Sequence, residues 1–448
     1  MPLNSMKRYD ESRVEHITGT AVVIGGSMAG LCAARVLAGI FDDVIVIERD
    51  TLSDEAAIRD GAPQTSQPHA LLEAGRATLE DLFPGFTQSV RDAGGLALNM
   101  TRDIVWYDKG DTVEEAETPL SALYASRPLF EHIVRKKVRS KSNISFRDGC
   151  HFITYTQNRS ANQITGIKFR DEQGEETTLE SKITVDASGR ASKTPSWLAN
   201  NGYAKPDVDR VNIDVTYSTV CISRPTDDHH GVLIAPEPGR PRGAAMLPIE
   251  QNQWQILLQG VHGERAPVDT ERFISWAAQL PIQDPVRELR EQQWLTDIRR
   301  YPFPASVRHN YHTLHRFPDR FVVIGDAVAS FNPIYGQGMS VAALDSLAVH
   351  HALSDGITGV GPRVFDLIKP VIHEAWRTAV GNDFIFNETT GPKPFATDLL
   401  NTYASRLVKR AHDDGVLTEA FLRVFRLERQ ATSLLHPRIL WRTLRPHL

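Results

Sequence analysis

Three stretches of this 448-residue chain carry residues whose types and spacing could do chemistry. The first is Gly25-Gly26-Ser27-Met28-Ala29-Gly30, followed about 20 positions later by the acid Glu48. Gly25 permits a tight reversal, Ser27 is small enough to let a pyrophosphate approach the backbone, and Gly30 allows close packing of the segment behind it. Glu48 suits a ribose hydroxyl pair and repels the extra phosphate of NADP, so the grip favours FAD or NAD. The second stretch joins Gly325-Asp326-Ala327 to Pro333-Ile334-Tyr335-Gly336-Gln337-Gly338-Met339. There Asp326 can accept hydrogen bonds from a sugar-alcohol chain, and N–H groups near Gly338 and Met339 can hold a group that becomes negative. The third is Asp186-Ala187-Ser188-Gly189-Arg190, a small-residue stop of the kind found where open α/β sheets bind ligands.

Each stretch needs a strand before it and a helix or turn after it. Residues 21–24 form a short apolar run suited to a strand buried on both faces, and Leu31, Ala34, Leu37 and Ala38 share one helical face. Residues 44–47 make the second strand. Residues 51–72 are polar and turn-rich until His69, a long loop of the kind that carries function, and they lead into a helix over 75–83. Residues 125–138 predict another helix, with Ser126 as N-cap and Pro128 in the first turn, so Arg127 stands where an anion would bind. Alternating patterns from 143 to 186 predict a strand, a hairpin turning at Gly174 and a return strand that ends at Asp186.

Between about 202 and 297 longer strands predict a largely antiparallel layer, in which Tyr217, Met246 and Trp254 fill either the sheet core or a substrate cavity. Residues 321–324 return to a buried parallel strand, 340–353 to a helix, and the last 80 or so residues are helical in pattern. The expected architecture is α/β: a Rossmann-like domain binding FAD or NAD, with an interleaved antiparallel-sheet substrate domain and a C-terminal helical cap. By residue number, 1–200 and 301–360 form the two parts of the nucleotide domain, 201–300 the substrate layer and 361–448 the helical region.

Composition excludes several functions. A net charge of −5, with Lys and Arg scattered among acids, offers no field for nucleic acid. Cys32, Cys150 and Cys221 lack metal-ligand spacing and read as buried thiols, so no metal site is expected. The first twenty residues have no apolar core of a signal peptide, and no run reaches the roughly 18 apolar residues of a membrane span. The expectation is therefore a cytoplasmic protein without integral membrane association. Residues 438–448 mix Ile439, Leu440, Trp441 and Leu444 with arginines, which reads as a packed C-terminal helix with solvated arginines or, alternatively, a membrane-surface contact. His69 reads as structural, His229-His230 as a solvated loop, and no side chain is singled out as catalytic.

Taken together, GGSMAGL with ERD, RDGAPQTSQPHALL, SRPLFE, DASGR and GDAVASFNPIYGQGMS resemble the FAD-dependent monooxygenases of the para-hydroxybenzoate hydroxylase type over nearly the whole chain. Within that type the segments are most similar to the flavin epoxidases of polyether biosynthesis. The resemblance implies that Gly25, Ser27 and Gly30 hold the FAD pyrophosphate, Glu48 the adenosine ribose, and that Arg49 flanks the adenine. It implies further that Arg127 reaches the pyrophosphate, the backbone near Phe152 meets the adenine, and Asp326 binds the ribityl and phosphate side. Gly336, Gly338 and Met339 would face the flavin pyrimidine, Pro333 would wall the reacting edge, and Arg59 and Gln64 would lie in a loop closing over the cofactor.

The implied chemistry is transfer of one oxygen atom from O2, through a C4a-hydroperoxide of reduced FAD, to a lipophilic secondary metabolite by epoxidation or hydroxylation. The expected electron source is NAD(P)H or a partner flavin reductase; DASGR stands where the aromatic hydroxylases have the DG-type motif they use for both FAD and NADPH, so either pyridine-nucleotide handling differs or the partner reductase supplies reduced flavin. The same fold also serves FAD-dependent reductases of isoprenoid double bonds and non-catalytic escort modules. Flavin halogenases share the first grip, but the chain has no W-x-W-x-I-P segment.

Overall fold

The computed structural model describes residues 6–446. Five parallel strands form its first sheet, in the order Phe321–Val323, Ile183–Asp186, Ile17–Ile24, Phe41–Ile47, Ile144–Arg147. Their inner residues, Val22, Val23, Val44, Val46, Val185 and Val322, are fully enclosed. β-branched residues fit such a two-sided burial, and each full burial contributes roughly 1.5–3 kcal/mol. Register pairs Ile24 with Ile47 and with Asp186, and Asp186 with Val323. The carboxyl ends of four strands therefore open along one edge, and Gly25, Glu48, Asp186 and Asp326 all emerge there.

The helix Met28–Ala38 packs beside Gly338–Leu353, a sixteen-residue helix of which fourteen residues are buried. Ser346 Oγ of the second donates to the Ala29 carbonyl of the first at 3.3 Å. The helix Arg127–Arg139 begins after Ser126, whose Oγ accepts the Leu129 N–H at 3.2 Å, as the N-cap pattern predicted. It also packs against Met28–Ala38. Three helix starts thus gather over the same strand ends.

The antiparallel layer is an eight-stranded sheet built around Val208–Ser223, Gln253–Val261, Arg242–Ile249 and Gly231–Ile234. Ile104–Asp108 and Asp111–Thr112 join one end and Arg299–His309 with Ala329–Ser330 the other, so the sheet draws on chain before and after its central strands. Its two faces follow the period of two along a strand. Ile222, Met246, Trp254, Ile256 and Leu258 pack with Phe273 and Trp276 of a covering helix, whereas Val215, Tyr217, Ala245, Leu247 and Leu257 pack with Leu98, Trp106 and Phe386 on the other side. Met246 and Trp254 are accordingly core on the outer side and Tyr217 is core on the inner one.

Residues 151–180 form a small antiparallel sheet that turns at Gly174, whose φ is +84°. Beyond Val360–Asp383, the helices Thr397–Ala411, Gly415–Phe425 and Pro437–Leu444 complete the chain. Two expectations need correction. Cys32 and Cys150 are buried but Cys221 is partly accessible. His230 is not free in solvent: its ring packs on Trp254 at 5.2 Å and its carbonyl accepts the Trp254 indole N–H at 2.9 Å. The expected C-terminal helix is present, although residues 447 and 448 of that stretch, like residues 1–5 of the amino terminus, lie outside the described residues. No described helix is long and apolar enough to cross a membrane, and no metal-ligating cluster occurs among the described residues.

Candidate cofactor site

The first grip depends on absent side chains. Gly25 has φ +105°, and a Cβ there would stand 2.4 Å from the Ala187 carbonyl oxygen. A Cβ on Gly30 would stand 1.7 Å from the Gly25 oxygen, so any larger residue would force the turn off the helix. Ser27 is the N-cap with extended backbone but caps nothing; its Oγ donates to Glu131 Oε2 at 2.7 Å and receives Arg127 Nη2 at 3.2 Å. The first N–H groups of the helix are left without a side-chain cap, which is the arrangement that receives an anion. Glu48 ends its strand buried, accepting the N–H of Gly26 at 2.6 Å and of Asp50 at 3.0 Å.

Around this turn lies an enclosed cluster of three guanidiniums and three carboxylates. Glu131 stands 2.6 Å from Arg59 and 3.6 Å from both Arg127 and Arg135, while Arg59 also meets Asp50 at 3.0 Å and Glu48 at 3.4 Å. Burial opposes the charge on Arg59, but Glu131, Glu48 and Asp50 overcome that cost and raise its pKa. Arg127 Nε is buried with no protein partner, an open donor beside the capless helix start. Glu131 was not foreseen from the sequence, though its place one helical turn after Arg127 is the signal that could have found it.

The second grip begins at Gly325, in the left-handed region at φ +63°, where a Cβ would crowd Ala29 Cβ at 2.8 Å. Burial pushes the Asp326 carboxyl above its ordinary range, against the pull of Arg190 and then Arg127. Arg127 therefore donates to Ser27 at one grip and acts on Asp326 at the other, and with Gly325 packed against Ala29 the two helix starts stand side by side. Beneath them Asp345 accepts the Gly325 N–H at 2.9 Å, and burial pushes its carboxyl up to about 7. A lone acid inside the apolar run of that helix was the readable sign.

Pro333 opens the short turn Pro333–Tyr335, and Gly336 follows at φ +62°. A Cβ on Gly338 would meet nothing within 4 Å, so the helix begins against open space, with Met339 buried behind it. Gln337 is buried with both amide atoms unpartnered, and Ser340 Oγ is likewise unpartnered. The loop is braced from below: Asn332 accepts Tyr217 OH at 2.9 Å and donates to Asp383 at 2.9 Å, and Tyr335 OH donates to Asp383 at 3.0 Å. Burial pushes Asp383 up to about 7. Nothing local in the sequence marks Asp383, 51 residues downstream of Asn332.

The remaining predicted residues lie around the rim. Arg49 is exposed and donates to the Gly61 carbonyl. Gln64 sits half-buried in the turn Pro63–Ser66, which docks on the antiparallel sheet because Gln255 donates to the Ser66 carbonyl at 2.9 Å and Thr219 donates to Gln67 at 2.7 Å. His69 Nδ1 faces the Gln67 carbonyl at 2.7 Å and so carries the proton; burial and Arg127 push its pKa down to about 3, leaving it neutral. Phe152 lies on the small antiparallel sheet, its carbonyl accepting Lys193 at 2.9 Å and its ring 4.6 Å from Tyr155. Asp186, by contrast, is saturated by the protein: Ser188, Ser192, Thr194 and Tyr155 all donate to it. From that motif only Arg190 reaches toward the cleft, its guanidinium 4.6 Å above the Phe303 ring.

A parallel sheet with two glycine-bearing helix starts at one edge, covered by an antiparallel sheet, defines a dinucleotide-binding α/β protein. The chain belongs to the FAD-binding, para-hydroxybenzoate hydroxylase-like monooxygenase family, since residues 18–365 match the family model described as FAD binding domain. Protein Rv3254 of Mycobacterium tuberculosis is 30% identical over 433 residues, covering 93% of this chain and 91% of that one. Among solved structures, p-nitrophenol 4-monooxygenase PnpA from Pseudomonas putida superposes with a TM-score of 0.63 at 16% identity, over 92% of this chain and 98% of that one. PqsL of Pseudomonas aeruginosa, solved with 2-aminobenzoylacetate, gives 0.61 at 16% over 90% and 99%. The flavin-dependent halogenase CmlS gives 0.64 at 15% over 91% and 77%. At such identities these structures establish the shared fold.

Proposed function

We propose that the protein is an FAD-dependent monooxygenase that inserts one oxygen atom from O2 into a lipophilic small molecule, by epoxidation or hydroxylation. The observation that carries this reading is the pair of helix starts meeting over one cleft, one capless at Ser27 and one opening onto free space at Gly338. The residues fit FAD: the capless N–H groups and Arg127 Nε suit its pyrophosphate, and the raised Asp326 carboxyl gains hydrogen-bond donors from a ribityl chain. Gly25, Ser27, Gly30 and Arg127 would hold the pyrophosphate, Glu48 the adenosine ribose, and Arg49 and the Phe152 backbone the adenine. Gly336, Gly338 and Met339 would face the flavin ring, with Pro333 at its edge and Arg59 and Gln64 in the covering loop.

When bound, reduced FAD supplies the oxygen-activating chemistry. The chain's own tasks are to bind, orient and shield. The helix beginning at Gly338 offers N–H groups to negative charge on the ring, and the Asn332–Asp383–Tyr335 brace keeps that start in place. The inner face of the antiparallel sheet, with Tyr217, Ala245, Leu247 and Leu257 packed against Leu98, Trp106 and Phe386, would back a lipophilic substrate with apolar, water-excluding surroundings. Neutral His69 adds no charge there. The proposed division puts the flavin on residues 1–200 and 301–360 and the substrate against 201–300, with electrons from NAD(P)H or a partner reductase. Motif likeness supports placing the chain beside the polyether epoxidases within the family.

The test is direct. Purified protein should be yellow or take up FAD, and with a reductant and a panel of alkene and phenolic metabolites should transfer label from 18O2 to product. Turnover that persists under strict anaerobiosis, or a folded protein that refuses FAD, would overturn the reading.

A further inference from the structure

The C-terminal unit carries a surface that the cofactor cleft does not use. Of nine large apolar side chains exposed among the described residues, five lie between 395 and 444: Phe395, Leu399, Leu435, Trp441 and Leu444. Phe395 is 95%, Leu399 72% and Trp441 63% exposed. They do not belong to a loose tail. Arg406 of the helix Thr397–Ala411 donates to the carbonyls of Thr443 at 3.0 Å and Leu444 at 2.9 Å, and Tyr403 donates to the Leu434 carbonyl at 2.6 Å. The helix Pro437–Leu444 turns Ile439 and Thr443 inward, which leaves Arg438, Trp441, Leu444 and Arg445 along its outer side. Leu399 stands one turn before Tyr403, on the side of its helix that receives this terminal helix.

Charge decides what fits. Residues 397–448 hold nine Lys or Arg against five Asp or Glu, in a chain whose net charge is −5. Arg406, Lys409, Arg438 and Arg445 are exposed on the same two helices or at their ends, with one exposed acid, Asp398, beside Leu399, and the Arg445 guanidinium lies 5.4 Å from the Trp441 ring centre. Arg438 is 3.9 Å from Glu117 and Arg445 is 3.5 Å from Asp414. The first pair is exposed on both sides, contributes about 0–1 kcal/mol and exchanges readily for another anion, whereas Asp414 is buried and is also held by Arg442 at 2.7 Å. A tryptophan with leucine at its side and arginines at its flanks is the composition that settles at the headgroup level of a bilayer, the apolar tips below and the cations at the phosphates. A second copy meeting this surface about a two-fold axis would set cations against cations.

We propose that the exposed apolar side chains of this unit, Trp441 and Leu444 foremost, with Arg438 and Arg445 on the same helix side, dock the protein peripherally on an anionic phospholipid surface. Docking is reversible and uses no spanning segment. It stands independently of the cofactor reading.

The experiment is co-sedimentation of the full chain, as purified, with vesicles of phosphatidylcholine alone and with one quarter phosphatidylglycerol. Binding is expected only to the anionic vesicles and should weaken as salt rises. The W441A/L444A double variant, altered only at exposed positions and checked for an unchanged thermal midpoint, should bind about tenfold more weakly. K409Q/R438Q should also bind more weakly and with a flatter salt dependence. Equal retention on both vesicles, no retention on either, or a W441A/L444A variant that binds like the parent overturns the proposal. Self-association in solution that W441A/L444A abolishes would assign the face to a second copy and overturn it equally.

Discussion

Asp186 ends and Asp326 follows one of two neighbouring parallel strands, Ile183–Asp186 and Phe321–Val323, whose register pairs Asp186 with Val323. Each is followed by small residues and opens on the same edge of the sheet. Their surroundings differ completely. Asp186 is fully enclosed and collects the Ser188 N–H at 2.9 Å, the hydroxyls of Ser192 at 2.6 Å and Tyr155 at 3.0 Å, and those of Ser188 and Thr194. Asp326 has two arginines acting on it across the cleft and a pKa raised by burial. The protein finishes one carboxylate and leaves the other for a ligand. Equivalent places in a topology thus take structural or binding roles according to whether the next few residues supply hydroxyl donors.

Asp186→Ala is the largest test of that contrast. Leaving a buried donor without its acceptor costs about 1–3 kcal/mol, and four side chains would lose their acceptor at once. We expect a large fall in the urea midpoint of the apoprotein, with FAD binding lost as a consequence of unfolding. Asp326→Ala should behave oppositely. Its apoprotein midpoint should not fall, because the carboxylate is already penalised by burial, while FAD should bind about 100-fold more weakly for the loss of charged hydrogen bonds worth roughly 1.5–3 kcal/mol each. Matching urea curves for the two variants would erase the distinction.

Arg190→Gln sharpens the same comparison at lower amplitude. Arg190 comes from the finished motif yet acts on the unfinished carboxylate, over the Phe303 ring. With the cation gone, the Asp326 charge is supported by Arg127 alone, and FAD affinity should fall about tenfold in a titration by flavin fluorescence, as one exposed charge-assisted contact is worth roughly 1.5 kcal/mol. Arg190→Lys keeps the charge and should recover part of the loss. A loss for the lysine variant as deep as for the glutamine variant would show that ring stacking, not charge, is what Arg190 supplies.

How far the sequence could be read follows the range of each interaction. Gly25, Ser27, Gly30 and Glu48 were legible because a strand, turn, helix and second strand lie within thirty residues and constrain one another. Ser126 and Arg127 were legible because an N-cap and a first-turn proline mark their own helix start. Asp186 drew attention for its position, but its saturation depends on Tyr155, which reaches it from another sheet, and no local pattern announces that. The braces Asn332–Asp383 and Gln67–Thr219 span 51 and 152 residues and could not be read from spacing. The antiparallel layer was recognisable as strands, whereas the recruitment of Ile104–Asp108 to its edge is a matter of tertiary pairing.

Asp345 extends the comparison to pH. It lies under the second grip, receiving the Gly325 N–H at 2.9 Å, and burial pushes its carboxyl up to about 7. An unfolded chain would release that proton near pH 4, at about 3.9 for an aspartate. Across the window between these values the folded state holds a proton that the unfolded state has lost, so stability falls as pH rises, by at most about 1.4 kcal/mol per unit for one group. Asp383, also pushed up to about 7, adds in the same sense, while His69, pushed down to about 3, works the other way because its unfolded form binds the extra proton. The absolute slope is therefore a balance, and the difference between parent and Asp345→Asn isolates one contributor. Asparagine can accept the Gly325 N–H without titrating. Urea midpoints of the apoproteins across pH 4.5 to 6.5 should converge toward acid and separate toward neutrality, with the variant the more stable at the upper end. Parallel profiles would mean that Asp345 is ionised throughout, and that the second grip, like Asp186, is electrostatically complete before any cofactor arrives.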